Sequence, residues 1–68
     1  MEVLRFDPHA AELRLTQDEL LIINNALNEI CHGIDLPEFA TRIGAEPGEA
    51  QKLLAQFGAL LSGRSATP

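Results

Sequence analysis

The segment 16–32 limits the fold of this chain more than any other part of the sequence. Thr16, with Glu19 three residues later, has the pattern of a capping box, in which each side chain bonds the backbone of the other residue. Gly33 stands where a helix-ending glycine is expected. The pattern therefore predicts one amphipathic helix over 17–32.

The apolar residues of this helix cover about half of its circumference at about 100° per residue. Such an arc has to be covered by other elements, since a helix gains most of its stability from the packing of its apolar face. We expect the arc to belong to the core, and it consists of Leu20, Ile22, Ile23, Ala26, Leu27, Ile30 and Cys31.

A β-hairpin is predicted over 3–15, ahead of the helix. Its two arms alternate apolar and polar side chains, and an Asp-Pro-His-Ala sequence between them is typical of a turn. A four-residue loop places Leu4 opposite Leu13 and Arg5 opposite Glu12, an apolar pair and an ion pair. Since an isolated hairpin is marginal in water, we expect it to lie on the helices, to add to another sheet, or both.

Two further helices are predicted, over 36–43 and 47–61. Asp35 is a suitable cap for the first of them, with Glu38 as the third residue of a second capping box. Gly44 is placed to end this helix.

These elements predict one small α+β domain over 1–62, followed by a flexible tail over 63–68. In this fold the N-terminal β-hairpin packs on a three-helix unit. The second and third helices of that unit resemble a helix-turn-helix.

Size and composition restrict what holds such a domain together. A chain of 68 residues buries only about 60% of the surface that it exposes when unfolded. A single cysteine excludes an internal disulfide, and one cysteine with two histidines is too few for a structural zinc site. We therefore expect no metal and no cofactor, and stability has to come from local packing or self-association.

Charge and hydropathy point away from nucleic acid and membranes. The net charge of −5 argues against a general affinity for phosphates. No apolar run approaches the roughly 20 residues that span a bilayer, and the N-terminal residues lack the pattern of a signal peptide. We expect a cytoplasmic protein.

Cys31 and His32 are the only neighbours that suggest a nucleophile and a base. Adjacent residues of a helix point about 100° apart, and Cys31 falls on the apolar arc, where a thiol tends to be inert. The sequence contains no phosphate-binding glycine loop and no Ser/His/Asp arrangement. We therefore predict that the protein is not an enzyme.

The side of the 17–32 helix opposite its apolar arc carries uncharged polar residues in place of the usual Lys and Glu. Mid-helix Asn costs roughly 0.5 kcal/mol relative to Ala, so three of them call for an explanation. We predict a partner-binding stripe, either for a homodimer or for a distinct partner. The alternatives are that Asn24 and Asn25 bond backbone groups of the hairpin or a loop, or that the residues have no role. The helix stripe consists of Leu21, Asn24, Asn25, Asn28 and His32.

The alternative function is that of a helix-turn-helix transcriptional regulator, which would bind DNA through residues 35–57. Ala40 and Gly44 have the spacing that helix-turn-helix motifs use for a tight turn. However, the second helix of the motif opens with acidic residues, and only Gln51, Lys52 and Gln56 suit contacts with DNA.

Residues 13–34 resemble a family of short bacterial proteins of unassigned activity. The most specific part is an Asn-Asn-Ala-Leu-Asn-Glu sequence over 24–29, and residues 41–44 fit the same resemblance. The resemblance implies a bacterial origin and a non-enzymatic role, such as that of small acidic proteins that neutralise toxins by binding them. The leading hypothesis is accordingly a small protein-interaction module, of an immunity or adaptor type.

Overall fold

The computed structural model describes residues 1–63. It confirms the α+β class, with an antiparallel hairpin followed by three helices. Apart from Gly63, the predicted tail lies outside the described residues. The elements are β1 (Glu2–Phe6), β2 (Ala11–Arg14), α1 (Gln17–Asn28), which continues into a π-helical turn (Glu29–Gly33), α2 (Phe39–Ile43) and α3 (Pro47–Leu61).

The hairpin turn forms because Asp7 caps its own backbone. The amides of His9 and Ala10 donate to the Asp7 carboxylate at 2.8 and 3.0 Å. The Asp7 amide in turn donates to the Ala10 carbonyl at 3.0 Å. These bonds are those of an Asx-type turn, and they explain why the strands meet here.

The strand register contains a bulge that the alternation of the sequence did not reveal. Arg5 lies opposite Glu12, as predicted, and their side chains approach to 3.8 Å. Val3, however, lies opposite Leu13, so the predicted pairing of Leu4 with Leu13 is wrong. Leu4 is the extra residue of a β-bulge, which lets two residues of one strand oppose one residue of the other.

The capping box at the start of α1 is confirmed. The Glu19 amide donates to Thr16 Oγ1 at 3.1 Å, and the Thr16 amide donates to Glu19 Oε1 at 2.8 Å. The Met1 amino group forms an ion pair with the same carboxylate. The hydrogen bond from the Met1 amino group, followed by the bond from the Thr16 amide, holds the pKa of Glu19 below its usual value.

The end of this helix differs from the prediction. Gly33 does not stop the helix in a left-handed conformation, because it is the last residue of the π-helical turn. The Ile34 amide closes this turn by donating to the Glu29 carbonyl at 3.0 Å. A side chain on Gly33 would lie within 2.5 to 2.7 Å of the Glu29 carboxylate, so the glycine makes room for that group.

The helical core lies between α1 and α3 and is thin. Among the described residues, only Ala50 is buried, with 5% of its surface exposed. Ile22 and Ala26, predicted to be core residues, are exposed, and Ile22 is 67% exposed. The reason is that, among the described elements, α3 alone packs on α1 and covers only part of its apolar arc. The half-buried core residues of the two helices are Leu20, Ile23, Leu27, Ile30, Cys31, Leu54, Phe57 and Leu61.

The second helix is shorter than predicted. It begins at Phe39, and Asp35 does not cap it. Glu38, expected as the third residue of a capping box, instead takes a left-handed conformation with φ of 54°. Gly44, with φ of 88°, ends the helix as predicted, because a glycine adopts this conformation without steric cost.

The third helix has the predicted bounds. Pro47 occupies its first turn, where the missing amide of a proline costs nothing. The Glu46 amide donates to Glu49 Oε1 at 3.2 Å, which satisfies one backbone group at the entry to the helix.

Candidate protein-interaction surfaces

The helix stripe is mostly open to solvent. Leu21, Asn25 and Asn28 are exposed on α1, and His32 is exposed on the π-helical turn that follows. Within residues 1–63, none of the three stripe asparagines makes a side-chain hydrogen bond, so they satisfy no backbone group of the hairpin or a loop. The exposed part of the stripe therefore presents free amide donors and acceptors beside one leucine.

Asn24 differs from the rest of the helix stripe. It is half-buried, and its Oδ1 atom is shielded from solvent with no hydrogen-bond donor among the described residues. An unpaired buried carbonyl costs about 1 to 3 kcal/mol. A partner cannot reach this oxygen in the conformation described, so Asn24 stands at the edge of the stripe that faces the core.

A second surface, which sequence reasoning expected to be covered, is the apolar face of the hairpin. Its members are 43 to 78% exposed, with Phe6 at the upper limit. The hairpin makes no contact with a helix comparable to that between α1 and α3. The alternation of apolar and polar residues in the strands indicated this face. It does not show whether the helices of the same chain cover it. The members of this apolar face are Val3, Leu4, Phe6 and Leu13.

The opposite face of the hairpin is charged and internally paired. Arg14 Nη1 lies 3.2 Å from Glu2 Oε1, and Arg5 Nη1 lies 3.8 Å from Glu12 Oε2. These exposed pairs contribute little stability, since water screens them. They help to fix the register of the two strands, because a slipped pairing would separate the opposite charges.

Cys31 and His32 do not form a catalytic pair in the described residues. Cys31 is half-buried, His32 is exposed, and no hydrogen bond joins them. Across residues 1–63, no group of three His, Cys, Asp or Glu side chains is arranged to hold a metal ion. No described helix combines the length and the apolar character needed to cross a bilayer.

The 35–57 segment contains the two helices of the predicted helix-turn-helix-like unit. Such motifs place two helices against each other at a fixed angle, with the second one in the major groove. Here α2 has five residues, and α3 packs mainly against α1. The first turn of α3 presents Glu49, and Lys52 is the first cation that follows it.

Compared with known protein families, curated proteins and solved structures, the chain matches none. The resemblance of residues 13–34 to short bacterial proteins therefore stays a prediction.

Proposed function

We propose that this chain is a small, non-enzymatic protein-interaction module that completes its apolar packing against another protein chain. One observation carries the proposal. Eleven large apolar side chains of the described residues are exposed, whereas Ala50 is the only one of these residues that is buried. Single exposed apolar residues are normal on a protein surface, but groups of them on one strand pair and one helix are typical of interaction sites.

The exposed residues are not scattered at random. Four of them belong to the hairpin, whose apolar face is not covered by any of residues 1–63. Leu21 and Ile22 add a second group on α1, where Leu21 is 48% exposed beside Asn25 and Asn28. An apolar anchor next to free amides is a suitable contact for a protein partner, since the amides give specificity and the leucine gives burial.

The same proposal includes the class of partner. An immunity-type or adaptor protein works by occupying another protein and needs no reaction chemistry of its own. A rigid helix with uncharged polar residues suits such a role, because its asparagines lose little side-chain freedom on binding. The partner is a second copy, a distinct protein, or both on different surfaces.

The experiment has two parts. Sedimentation equilibrium over a wide concentration range measures self-association. Affinity capture from the cells that encode the chain, followed by titration with each purified candidate, measures binding of a distinct protein. We expect Asn25→Ala with Asn28→Ala to weaken that binding about tenfold, since a few contacts in an interface usually carry most of its free energy.

A matched control is available on α3. Gln51→Ala with Gln56→Ala also removes two exposed amides from a helix and should leave binding unchanged. A monomer at every concentration that binds no protein contradicts the proposal. Binding to duplex DNA that weakens steeply with salt, and is lost in Lys52→Ala, would instead support the regulator.

A further inference from the structure

The outer edge of β2 is not paired with another strand within residues 1–63. The hairpin has only two strands, and all four residues of β2 are exposed. An exposed strand edge offers unpaired backbone amides and carbonyls to another strand. The side chains of β2 determine which second strand is able to pair there.

We propose that a second copy of this chain pairs antiparallel along β2, with Leu13 on the two-fold axis, to form a four-stranded sheet in the order β1-β2-β2-β1. The proposal rests on the function proposed above and names its partner. It follows from the sequence of β2, which is self-complementary about its leucine. Reversing the strand about Leu13 places Glu12 opposite Arg14 of the second copy, and Arg14 opposite its Glu12.

The charged face of the hairpin extends this complementarity over four strands. Within one copy, Arg5 already pairs with Glu12 and Glu2 with Arg14. In the four-stranded sheet, each row across the strands therefore reads Arg5, Glu12, Arg14, Glu2, with alternating sign. The second row has the same order in the opposite direction. Opposite charges directly across strands stabilise a pairing. A slip of one residue would place charged side chains opposite apolar ones, and an axis at Glu12 or at Arg14 would place like charges opposite each other.

The backbone of β2 is oriented for this pairing. The Asp7 amide bonds the Ala10 carbonyl, so the backbone groups of Ala10 point towards β1. In an antiparallel ladder the direction alternates along the strand, so those of Ala11 and Leu13 point to the outer edge. Leu13 is thus able to exchange two backbone hydrogen bonds with Leu13 of the second copy.

The outer edge of β1 lacks these properties. Self-pairing about Leu4 would put Glu2 opposite Phe6 and Val3 opposite Arg5, which mixes charged and apolar residues on both faces. The bulge between Val3 and Arg5 also interrupts the regular spacing of this edge. Paired about its central residue, the edge of β1 is therefore not complementary to itself, whereas that of β2 is.

The experiment uses a cysteine on the proposed axis. In a Cys31→Ala background, Leu13→Cys should form a disulfide between copies under mild oxidation. Hydrogen-bonded residues of an antiparallel pair have Cα atoms about 5.5 Å apart, within the range of a disulfide. Val3→Cys is the matched control, since it lies on the same face but on the outer strand. Its two copies would be about 14 Å apart across three strand spacings, beyond disulfide reach.

A charge-swapped variant gives a second readout that does not depend on the cysteines. Reversing the four charged residues of the two strands (Glu2→Arg, Arg5→Glu, Glu12→Arg, Arg14→Glu) preserves the pairs across the strands, both within a copy and between identical copies. Within a copy it loses only the contact of Arg5 with Asp7 at 4.0 Å, and this loss is the same in every dimer of the swapped chain. It places like charges together when a swapped chain meets an unchanged one. We expect each protein to dimerise with itself at an affinity within about threefold of the other, and mixed dimers to be at least about tenfold weaker.

The outcomes separate this inference from the proposed function. Crosslinking at position 13 only, together with discrimination against mixed dimers, supports the four-stranded sheet. A dimer that crosslinks through position 3, or that forms mixed dimers freely, overturns it. A monomer that binds a different protein overturns it and leaves the proposed function intact. A monomer that binds no protein overturns both.

Discussion

Asn24 offers a test in which removing a polar side chain should stabilise the protein. Its Oδ1 atom is shielded from solvent and has no hydrogen-bond donor in the described residues. Asn24→Ala removes this acceptor, which costs about 1 to 3 kcal/mol while it is unpaired. The substitution also gains roughly 0.5 kcal/mol of helix propensity. We therefore expect the free energy of unfolding to rise by at least about 1.5 kcal/mol, which for a domain of this size raises Tm by several degrees.

Asn25→Ala is the matched control for this substitution. Asn25 is the next residue on the same helix and is exposed, so its replacement should gain only the helix propensity of about 0.5 kcal/mol. Urea unfolding followed by circular dichroism measures both variants, at one fixed protein concentration because self-association adds to apparent stability. The difference between the variants should be at least about 1 kcal/mol in favour of Asn24→Ala. An equal or smaller gain would mean that the Asn24 oxygen is hydrogen-bonded, and the reasoning would be refuted.

Three other predictions concern the ends of the helices. Thr16→Ala removes one half of the capping box and should lower the free energy of unfolding by about 1 kcal/mol, measured by urea unfolding. Because the pKa of Glu19 is lowered in the folded state, its contribution is present above about pH 4.3, the pKa of an unfolded glutamate, and is lost as the pH falls through the folded pKa. Glu19→Gln should therefore flatten the acid limb of a Tm profile, and an unchanged limb would contradict this assignment. Gly44→Ala should cost about 1 to 2 kcal/mol because its φ is 88°, whereas Gly48→Ala, inside α3 with open space around it, should stabilise by up to about 1 kcal/mol. Thermal unfolding of the two glycine variants measures both effects: Tm should fall for Gly44→Ala and rise for Gly48→Ala.

The elements that local chemistry determines were predictable from the sequence. The capping box of α1, the turn at Asp7 and the glycine that ends α2 each depend on residues three or four positions apart. The bounds of α3 follow from the proline in its first turn and its apolar spacing. Each of these signals acts within one turn of backbone, so no knowledge of distant contacts is needed to read it.

The features that the sequence did not reveal are those for which two local conformations of the backbone have similar energies. A bulge at Leu4 and a regular pairing differ by one residue of register, and both alternate apolar and polar side chains. The left-handed Glu38 shortens α2 although the Asp35 to Glu38 spacing is that of a capping box. Likewise, the sequence of α1 does not show that a π-helical turn, rather than a left-handed glycine, would end it.

The error about Ile22 has a different origin and bears on function. The apolar arc of α1 was predicted to be core because of its width, yet α3 covers only part of it and Ile22 remains 67% exposed. The same holds for the hairpin, where Phe6 and Leu13 have the alternating pattern of a buried strand face but are exposed. Hydrophobic periodicity records which side chains are suited to burial, but not which chain buries them. Both α1 and the hairpin therefore carry more apolar side chains suited to burial than the described residues cover. This surplus supports the proposal that the protein completes its core against another chain.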